Sequence, residues 1–441
     1  MSDDLDEAPT TAALHLWEEW PALSEADRVE RFRGLPPEEV NDFFLTLDPT
    51  EQSALVHALP LAERVLWIRL LDPDDAADLL QTCSNEERNR LLDLLDEQTR
   101  SEVRALLAYA EDRAGGLMSP RFARVRPEFT VDEAIRYLRK QAGQVETIYY
   151  AYALDGQQQL KGVISFRELF QAPDEKLVRD VMHTEIISVR EDLDQEAVAR
   201  IYVEQDLLAI PVVDAEGRMK GIITFDDIAD VVREEATEDI QKIGGTEALQ
   251  MPYMSSPIQD LIRKRAGWLA VLFIGELLTA SAMAFYQDEI AAAVVLALFL
   301  PLIISSGGNS GSQASTLVIR AMALGEVRIR DWWKVLRREV GVGLTLGAIL
   351  GTLGLVRVVV WEKIWHSYGE HYLKLGITVS LSLVGVVLWG CVTGSMLPFV
   401  LRKVGFDPAS ASAPFVATLV DVTGLMIYFT VASIALRGAL L

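Results

Sequence analysis

Five long apolar runs in the last part of the chain constrain its fold more than any other feature. Each is long enough to cross roughly 30 Å of hydrocarbon as a helix. We predict spans at 266–285, 290–306, 339–360, 376–400 and 413–436. The second run ends in PLIISSGGNSGSQAS, where we expect Gly307, Gly308 and Asn309 to break the helix. Residues 265–441 are therefore predicted to form an α-helical transmembrane bundle of five helices.

Charge separates the chain into two parts that suit different solvents. The net charge is -23, and the acidic residues are concentrated before the first span. Basic residues set the orientation of membrane proteins, because loops rich in Lys and Arg stay in the cytoplasm. Three such groups fall on one side of the five spans: 263–265, the segment 328–338, and Arg402 with Lys403. The amino terminus is thus predicted to be cytoplasmic and the carboxyl terminus outside.

The amino-terminal residues 1–24 are predicted to be an acidic tail, because MSDDLDEAPTTAAL lacks the apolar core of a signal peptide. Residues 25–117 contain a repeat of 12 residues, with Leu35, Leu47, Leu59, Leu71, Cys83 and Leu95 in equivalent positions. Each begins a phrase such as LDPTE that is typical of a helix start. The repeat predicts an all-α superhelical domain, although an irregular helical bundle would also fit.

Two α/β units follow, at 118–180 and 181–236. Each has the predicted order strand, helix, strand, strand, helix and closes on a similar phrase, KGVISFRELF in the first and KGIITFDDIADVV in the second. The pair resembles tandem CBS domains. Residues 237–264 are predicted to be an acidic connecting segment and linker helix that leads into the membrane.

Several membrane motifs together resemble the MgtE magnesium transporter family. They are PLIISSGGNSGSQAST, IRAMALGEV, DWWKVLRREVGVG and PFVATLVDVTGLMIYF, and they follow the helical repeat and the CBS pair in the order of that family. The resemblance implies a homodimeric Mg²⁺-selective channel in the lipid bilayer of the inner membrane. It also implies that intracellular Mg²⁺, bound between acidic cytosolic domains, closes the channel.

Asp421 lies in the middle of the fifth predicted span. An ionisable residue at that depth is costly by about 3 kcal/mol and usually marks an ion pathway. The alternative is an interhelical hydrogen bond. The resemblance makes Asp421 the acidic residue of the pore, with Ala417 and Thr418 one turn earlier as further candidates. Pore-lining backbone is expected at Gly308 and Asn309, although small residues also serve tight helix packing. Glu276 is a second intramembrane acid whose role stays open.

A dense acidic run, DDIADVVREEATEDI, precedes the membrane. Like charges at this density repel one another unless cations screen them, and such a run is otherwise a solvated face. In the resembled family this region senses Mg²⁺, a cation that prefers oxygen ligands. The implied metal ligands on the run are Asp227, Asp230, Glu235, Glu238 and Asp239. Candidate partners elsewhere are Asp72, Asp74, Asp75, Asp78, Asp194 and Asp206.

CBS pairs often bind adenine nucleotides, and Arg167 and Glu168 occupy the strand-helix junction of the first unit. Regulation of this protein by bound ATP is therefore one of the options that the sequence leaves open. The sequence contains no P-loop, zinc spacing or Ser/His/Asp set, so we expect neither enzymatic activity nor a nucleic-acid partner. Two other functions stay open: a CBS-regulated conduit for Mn²⁺ or Co²⁺, and a membrane-anchored sensor that transports nothing.

Overall fold

The computed structural model describes residues 12–249, 253, 256–292 and 294–436. Residues 1–11 of the predicted acidic tail lie outside the described residues. The chain divides into two compact units, one ending at Glu234 and one beginning at Glu235. The first unit contains a helical domain and two α/β domains, and the second contains the long apolar helices.

The helical domain is a succession of short helices that follows the 12-residue repeat. They are α1 (Ala12–Glu19), α2 (Glu25–Arg33), α3 (Val40–Thr46), α4 (Pro49–Ala58), α5 (Leu61–Ile68), α6 (Pro73–Gln81), α7 (Asn85–Leu92) and α8 (Glu97–Leu106). From α4 to α8 each helix begins two residues after a repeat position. The repeat residues Leu47, Leu59, Leu71 and Leu95 are buried in one core, which accounts for their spacing.

Capping explains why the helices stop and restart at this interval. The side chains of Ser24, Asp48 and Ser84 each accept a hydrogen bond from a backbone N–H in the first turn of the next helix. Five residues after a repeat position, Arg88 and Arg100 donate hydrogen bonds to the last carbonyl groups of the preceding helix. At the junction of α6 and α7, for example, Arg88 and Ser84 satisfy backbone groups on both sides.

The helical domain begins before the predicted boundary at residue 25. Leu16 of α1 and Trp20 are buried in the same core as the repeat leucines. Leu23 stands 12 residues before Leu35, so the repeat itself extends one unit further back than the sequence analysis recognised.

Two α/β domains complete the first unit. The elements are α9 (Ala114–Leu117), β1 (Arg124–Val125), α10 (Val131–Gln141), β2 (Tyr150–Leu154), β3 (Leu160–Ser165), α11 (Phe166–Gln171), β4 (Val189–Arg190), α12 (Gln195–Glu204), β5 (Ala209–Val213), β6 (Met219–Thr224) and α13 (Phe225–Ile243). In each sheet the first strand is parallel to the second, and the second is antiparallel to the third. The predicted order of strands and helices is confirmed in both domains.

The second unit contains α14 (Ile258–Phe285), α15 (Gln287–Ala292), α16 (Leu300–Ala323), α17 (Trp332–Trp365), α18 (Tyr372–Val404) and α19 (Ala413–Ala435). Among the described residues, five helical segments are long and apolar enough to cross a membrane, and each overlaps one of the five predicted spans. The prediction of a transmembrane bundle of five helices is confirmed.

The predicted break in the second span is wrong. Residues Gly307 to Asn309 lie inside the continuous helix α16, so no irregular backbone forms there. The glycines instead allow close helix packing: a Cβ atom at Gly307 would meet Val386 and Val420, and one at Gly311 would lie 3.1 Å from the carbonyl oxygen of Gly390. Close helix packing is therefore the observed role of Gly307 and Gly311.

Candidate functional site

Asp421 lies half-buried on α19, where that helix crosses α16. A Cβ atom at Gly308 would lie 3.5 Å from Oδ1 of Asp421 and 3.3 Å from the Cβ of Ala417. Because Gly308 has no side chain, α16 lies close to Ala417 and to the carboxylate. Gly308, Ala417 and Asp421, three residues predicted for the pore, are brought together by this crossing.

The two other predicted pore residues are engaged locally. Thr418 donates a hydrogen bond from its hydroxyl to the carbonyl oxygen of Pro414, at 3.0 Å, and its oxygen keeps lone pairs for a ligand. Asn309 is exposed, and its Nδ2 lies 3.3 Å from the hydroxyl of Ser305. Since α19 is a continuous helix, the carbonyl of Ala417 is already the partner of the N–H at residue 421.

Helix α14 packs along α19 and places a second acid beside Asp421. Trp268 donates a hydrogen bond to the hydroxyl of Ser412 at 3.2 Å, and the rings of Tyr286 and Phe429 stack with centroids 4.8 Å apart. Between these two contacts the carboxyl group of Glu276 interacts with that of Asp421. The sequence marked Glu276 only as an intramembrane acid, because its neighbour across the helix interface depends on tertiary packing.

A second cluster of carboxylates lies in the first unit, where α6 approaches the start of α13. Asp74 is buried, and its Oδ1 has no hydrogen-bond partner among the described residues. Burial raises the pKa of Asp74 well above its ordinary value, and the carboxylates of Asp227 and Glu146 raise it further. Burial and the neighbouring Asp227 and Asp75 likewise raise the pKa of Asp78. We call this cluster the acidic face; its members are Asp74, Asp75, Asp78, Glu146, Asp226, Asp227 and Asp230.

The start of α13 explains how two of these acids are held. Thr224 ends β6, and its backbone N–H donates to Oδ2 of Asp227 at 2.9 Å, while its hydroxyl contacts Asp226. Burial, and then the charge of Asp226, raise the pKa of Asp227 to about 7. Desolvation and the charges of Asp72, Asp226 and Asp230 raise the pKa of Asp75 to about 6. These carboxylates therefore resist ionisation when they are packed together without a cation.

Glu146 belongs to the acidic face although no sequence pattern singled it out. It accepts a hydrogen bond from the hydroxyl of Ser119 at 3.0 Å. Burial and the charge of Asp72 raise the pKa of Glu146 to about 8. Within the described residues, no three acidic, His or Cys side chains converge closely enough to hold an ion directly. The unpartnered buried oxygen of Asp74 fits a hydrated Mg²⁺, which keeps several of its waters and binds through few carboxylates.

Further along α13 the predicted ligands enter the second unit. Glu235, Glu238 and Asp239 lie on the last turns of this helix. Lys242 pairs with Glu238 at 2.5 Å and with Asp407 at 2.7 Å. Burial lowers the pKa of Lys242, but its hydrogen bonds to Asp407 and Glu238 raise this pKa by more, so the pKa of Lys242 is raised overall. Asp230 pairs with Arg233 at 2.8 Å.

The remaining predicted residues have other local roles. Asp194 caps α12 by accepting a hydrogen bond from the N–H of Glu196 at 3.2 Å, and its second oxygen lies 3.7 Å from Nη1 of Arg113. Asp206 is exposed and has a positive φ of 49°. Neither residue is among the carboxylates that raise the pKa of Asp74 or Asp78.

At the predicted nucleotide position, Arg167 is exposed in the first turn of α11. The carboxylate of Glu168 accepts hydrogen bonds from the backbone N–H and the hydroxyl of the N-cap residue Ser165, the latter at 2.8 Å, and lies 2.6 Å from Nε2 of His183. Desolvation raises its pKa, but the hydrogen bonds from His183 and Ser165 lower the pKa of Glu168 overall. The carboxylate is therefore ionised and already holds the strand-helix junction together.

Comparison with known proteins assigns each part of the chain. Residues 300–431 match the family described as a divalent cation transporter, residues 12–112 match the MgtE intracellular N domain, and residues 114–175 and 178–234 match the CBS domain. The match to the N domain begins at α1, where the helical domain of the structure also begins.

Named relatives cover almost the whole chain. It is 41% identical to the magnesium transporter MgtE of Thermus thermophilus over 441 residues, which is 99% of this chain and 95% of that protein. It is 32% identical to the magnesium transporter MgtE of Enterococcus faecalis, covering 96% of this chain and 92% of that protein. A crystal structure of the cytosolic domain of the Mg²⁺ channel MgtE in complex with ATP is 40% identical, covers 50% of this chain and 90% of its own, and has a TM-score of 0.47. The chain belongs to the MgtE family of divalent cation transporters.

Proposed function

We propose that this protein is a Mg²⁺ channel in which Asp421 binds the permeating ion. The observation that carries the proposal is the placement of Asp421 beside Gly308 at the crossing of α16 and α19. A carboxylate in the middle of a span suits a cation and disfavours an anion. The absence of a side chain at Gly308 lets α16 approach this carboxylate closely. The family and its named magnesium transporters support the same ion.

The proposed assembly is a homodimer in the inner membrane, with the amino terminus in the cytoplasm and the carboxyl terminus outside. The basic loops support this orientation. In a symmetric dimer, α19 of each subunit would contribute one Asp421 to a shared axis. Crosslinking in native membranes, with a cysteine placed near residue 421, tests whether two copies of α19 approach each other.

Regulation by intracellular Mg²⁺ is part of the proposal. The carboxylates of α6 and α13 lie close enough to raise one another's pKa, so their packing is opposed by electrostatic repulsion. A divalent cation that binds the packed arrangement more tightly than a separated one shifts the equilibrium toward packing. We propose that this packed state closes the channel when cytosolic Mg²⁺ is high.

An adenine nucleotide is a proposed modulator of the same region. The support is Arg167, an exposed guanidinium next to the ionised Glu168 at a strand-helix junction. Calorimetric titration of the purified protein with ATP should show binding, and Arg167→Ala should weaken it. If both proteins give no heat of binding above dilution, the nucleotide proposal is excluded.

Ion flux into liposomes tests the transport proposal. Purified protein is reconstituted with an internal Mg²⁺ indicator, and flux is compared for Mg²⁺, Ca²⁺, Mn²⁺ and Cl⁻. We expect Mg²⁺ flux and no Cl⁻ flux. Greater flux of Mn²⁺ than of Mg²⁺ would favour the broader description of the family as divalent cation transporters. Absence of all cation flux would favour a sensor that transports nothing.

A further inference from the structure

Glu276 and Asp421 form a pair of acids, but the proposed function gives a role only to Asp421. Glu276 lies in α14 and Asp421 in α19, and their carboxyl groups interact within the candidate spans. The described ion pairs place no Lys or Arg beside either carboxyl group, so neither charge is balanced by a described basic side chain.

The position of Glu276 is fixed by the packing of α14 on α19. Gly275 directly precedes it, and a Cβ atom at Gly275 would overlap the methyl group of Thr418. The two helices therefore approach most closely one residue before the acid. The contacts of Trp268 with Ser412, before Gly275 in the chain, and of Tyr286 with Phe429, after it, keep the two helices in the same register.

A buried hydroxyl with no hydrogen-bond partner in the described part of the chain lies one turn along α14 from Glu276. Thr279 follows Glu276 by three residues, so both lie on one side of α14. Thr279 is only 9% exposed and is the one residue of α14 that the structure describes as buried. Because α14 packs along α19, this burial directs Thr279 toward α19. Its Oγ1 has no hydrogen-bond partner among the described residues, which leaves a free oxygen on the side of α14 that faces α19.

Electrostatics decides what such a group of oxygens is suited to bind. Two carboxylates that touch at membrane depth repel each other far more strongly than in water. A divalent cation relieves this repulsion and offers ligand positions to both carboxylates and, directly or through retained water, to a hydroxyl. A carboxyl–carboxylate hydrogen bond that shares one proton would also join Glu276 to Asp421, but such a pair would not respond to Mg²⁺.

We propose that Glu276 is a second cation-binding carboxylate of the permeation path, which holds a partly hydrated divalent cation together with Asp421. The proposal rests on the proposed function of Asp421 and adds a role for α14. Conduction requires a site that is favourable enough to enter and weak enough to leave. A second carboxylate strengthens binding, so Glu276 sets the concentration at which the path saturates rather than whether it conducts.

Flux in liposomes as a function of Mg²⁺ concentration tests this role. Glu276→Gln should raise the half-saturating Mg²⁺ concentration by about tenfold, the effect of losing one charge-assisted contact, while maximal flux is kept. Glu276→Asp, which retains the charge, should restore most of the affinity. Asp288→Asn, which removes a carboxylate from α15, is the matched control and should leave the half-saturating concentration unchanged. Unchanged half-saturation in Glu276→Gln would overturn the proposal.

A measurement on the unaltered protein covers the case in which Glu276→Gln does not assemble. A hydrophobic carbodiimide labels carboxyl groups buried in the membrane, and mass spectrometry quantifies the labelling of each residue with and without Mg²⁺. We expect Mg²⁺ to protect Glu276 and Asp421 over the same concentration range. Protection of Asp421 without protection of Glu276 would refute the proposed role of Glu276 and leave the pore assignment of Asp421 intact. Protection of neither would refute the pore assignment of Asp421 as well.

Discussion

Nζ of Lys242 lies 2.7 Å from Oδ2 of Asp407, which ties the end of α13 to the segment that leads into α19. Gly245, with a φ of 74°, packs against Trp268 and Pro414 a few residues later. The residues at and just after the end of α13 thus contact α14 at Trp268 and α19 at Pro414.

Replacement of Asp421 should remove conduction. Asp421→Ala takes away the carboxylate that favours a dication at membrane depth, so we expect Mg²⁺ flux in liposomes to fall to the background of empty vesicles. Asp421→Asn keeps a ligand oxygen and should retain a small part of the flux. Wild-type flux in a correctly assembled Asp421→Ala protein would contradict the assignment of the pore residue.

Neutralisation of the acids on α13 should leave the channel open at Mg²⁺ concentrations that close the wild type. The change converts Asp227, Asp230, Glu235, Glu238 and Asp239 to their amides, which removes both repulsion and ligands. We expect the loss of ligands to dominate, because a bound cation stabilises the packed state only through these oxygens. A variant with Glu175→Gln and Glu185→Gln, two exposed acids outside the acidic face, is the control.

Limited proteolysis of the cytosolic region with and without Mg²⁺ provides a second readout of the same change. Mg²⁺ should protect the wild type and the control variant but not the neutralised variant. Equal cleavage in both conditions, together with unchanged inhibition of flux in the neutralised variant, would mean that the acidic run is only a solvated surface.

The packing of the acidic face should weaken as pH rises. The packed state raises the pKa of Asp75 to about 6, of Asp227 to about 7 and of Glu146 to about 8. It therefore binds more protons than a separated state, so its stability is greatest below the ordinary carboxyl pKa values and is lost as pH rises through about 6 to about 8.

Hydrogen exchange in α6, measured without divalent cations, should accordingly be faster at pH 8 than at pH 6 after correction for the intrinsic pH dependence. Added Mg²⁺ should slow it most at the higher pH, where the carboxylates are ionised. Glu146→Gln combined with Asp227→Asn should flatten the dependence. A corrected exchange rate that is independent of pH would contradict this account of the acidic face.

Adding one methyl group at Gly394 should force α16 and α18 apart. A Cβ atom at Gly394 of α18 would overlap the carbonyl oxygen of Gly311 in α16, and backbone atoms cannot move aside without shifting a helix. Gly394→Ala should therefore lower the melting temperature of the detergent-solubilised protein or prevent its assembly. Gly341→Ala, at a helical glycine with open space around it, should be neutral or stabilising by about 1 kcal/mol. Equal melting temperatures for the two variants would contradict the packing described here.

The helical repeat should depend on its buried leucines. Leu59 is 1% exposed, whereas Leu61, two residues later, is 63% exposed. Leu59→Ala should destabilise the domain by about 2–5 kcal/mol, because the cavity that it leaves cannot fully collapse. Hydrogen exchange in α4 and α5 should then become faster, while Leu61→Ala changes it little. Matching exchange in both variants would show that the repeat leucines do not support the core.

The sequence by itself determined the features that depend on neighbouring residues and on periodicity. The 12-residue spacing of buried leucines, the strand and helix order of the CBS pair, and the length of five apolar runs each reflect local geometry or the thickness of a bilayer. The position of Asp421 within an apolar run likewise marked it for the pore before any contact was known.

Only the tertiary structure decided which residues meet across elements. Local composition suggested a broken helix at Gly307–Asn309. Instead, α16 stays helical because its backbone hydrogen bonds form within one segment. Its glycines allow α18 and α19 to pack closely against it. Glu146 joined the acidic face and Glu276 joined Asp421 through contacts between residues far apart in the chain. Periodicity gives the face of a helix that is buried, whereas the partner of that face depends on how the whole bundle packs.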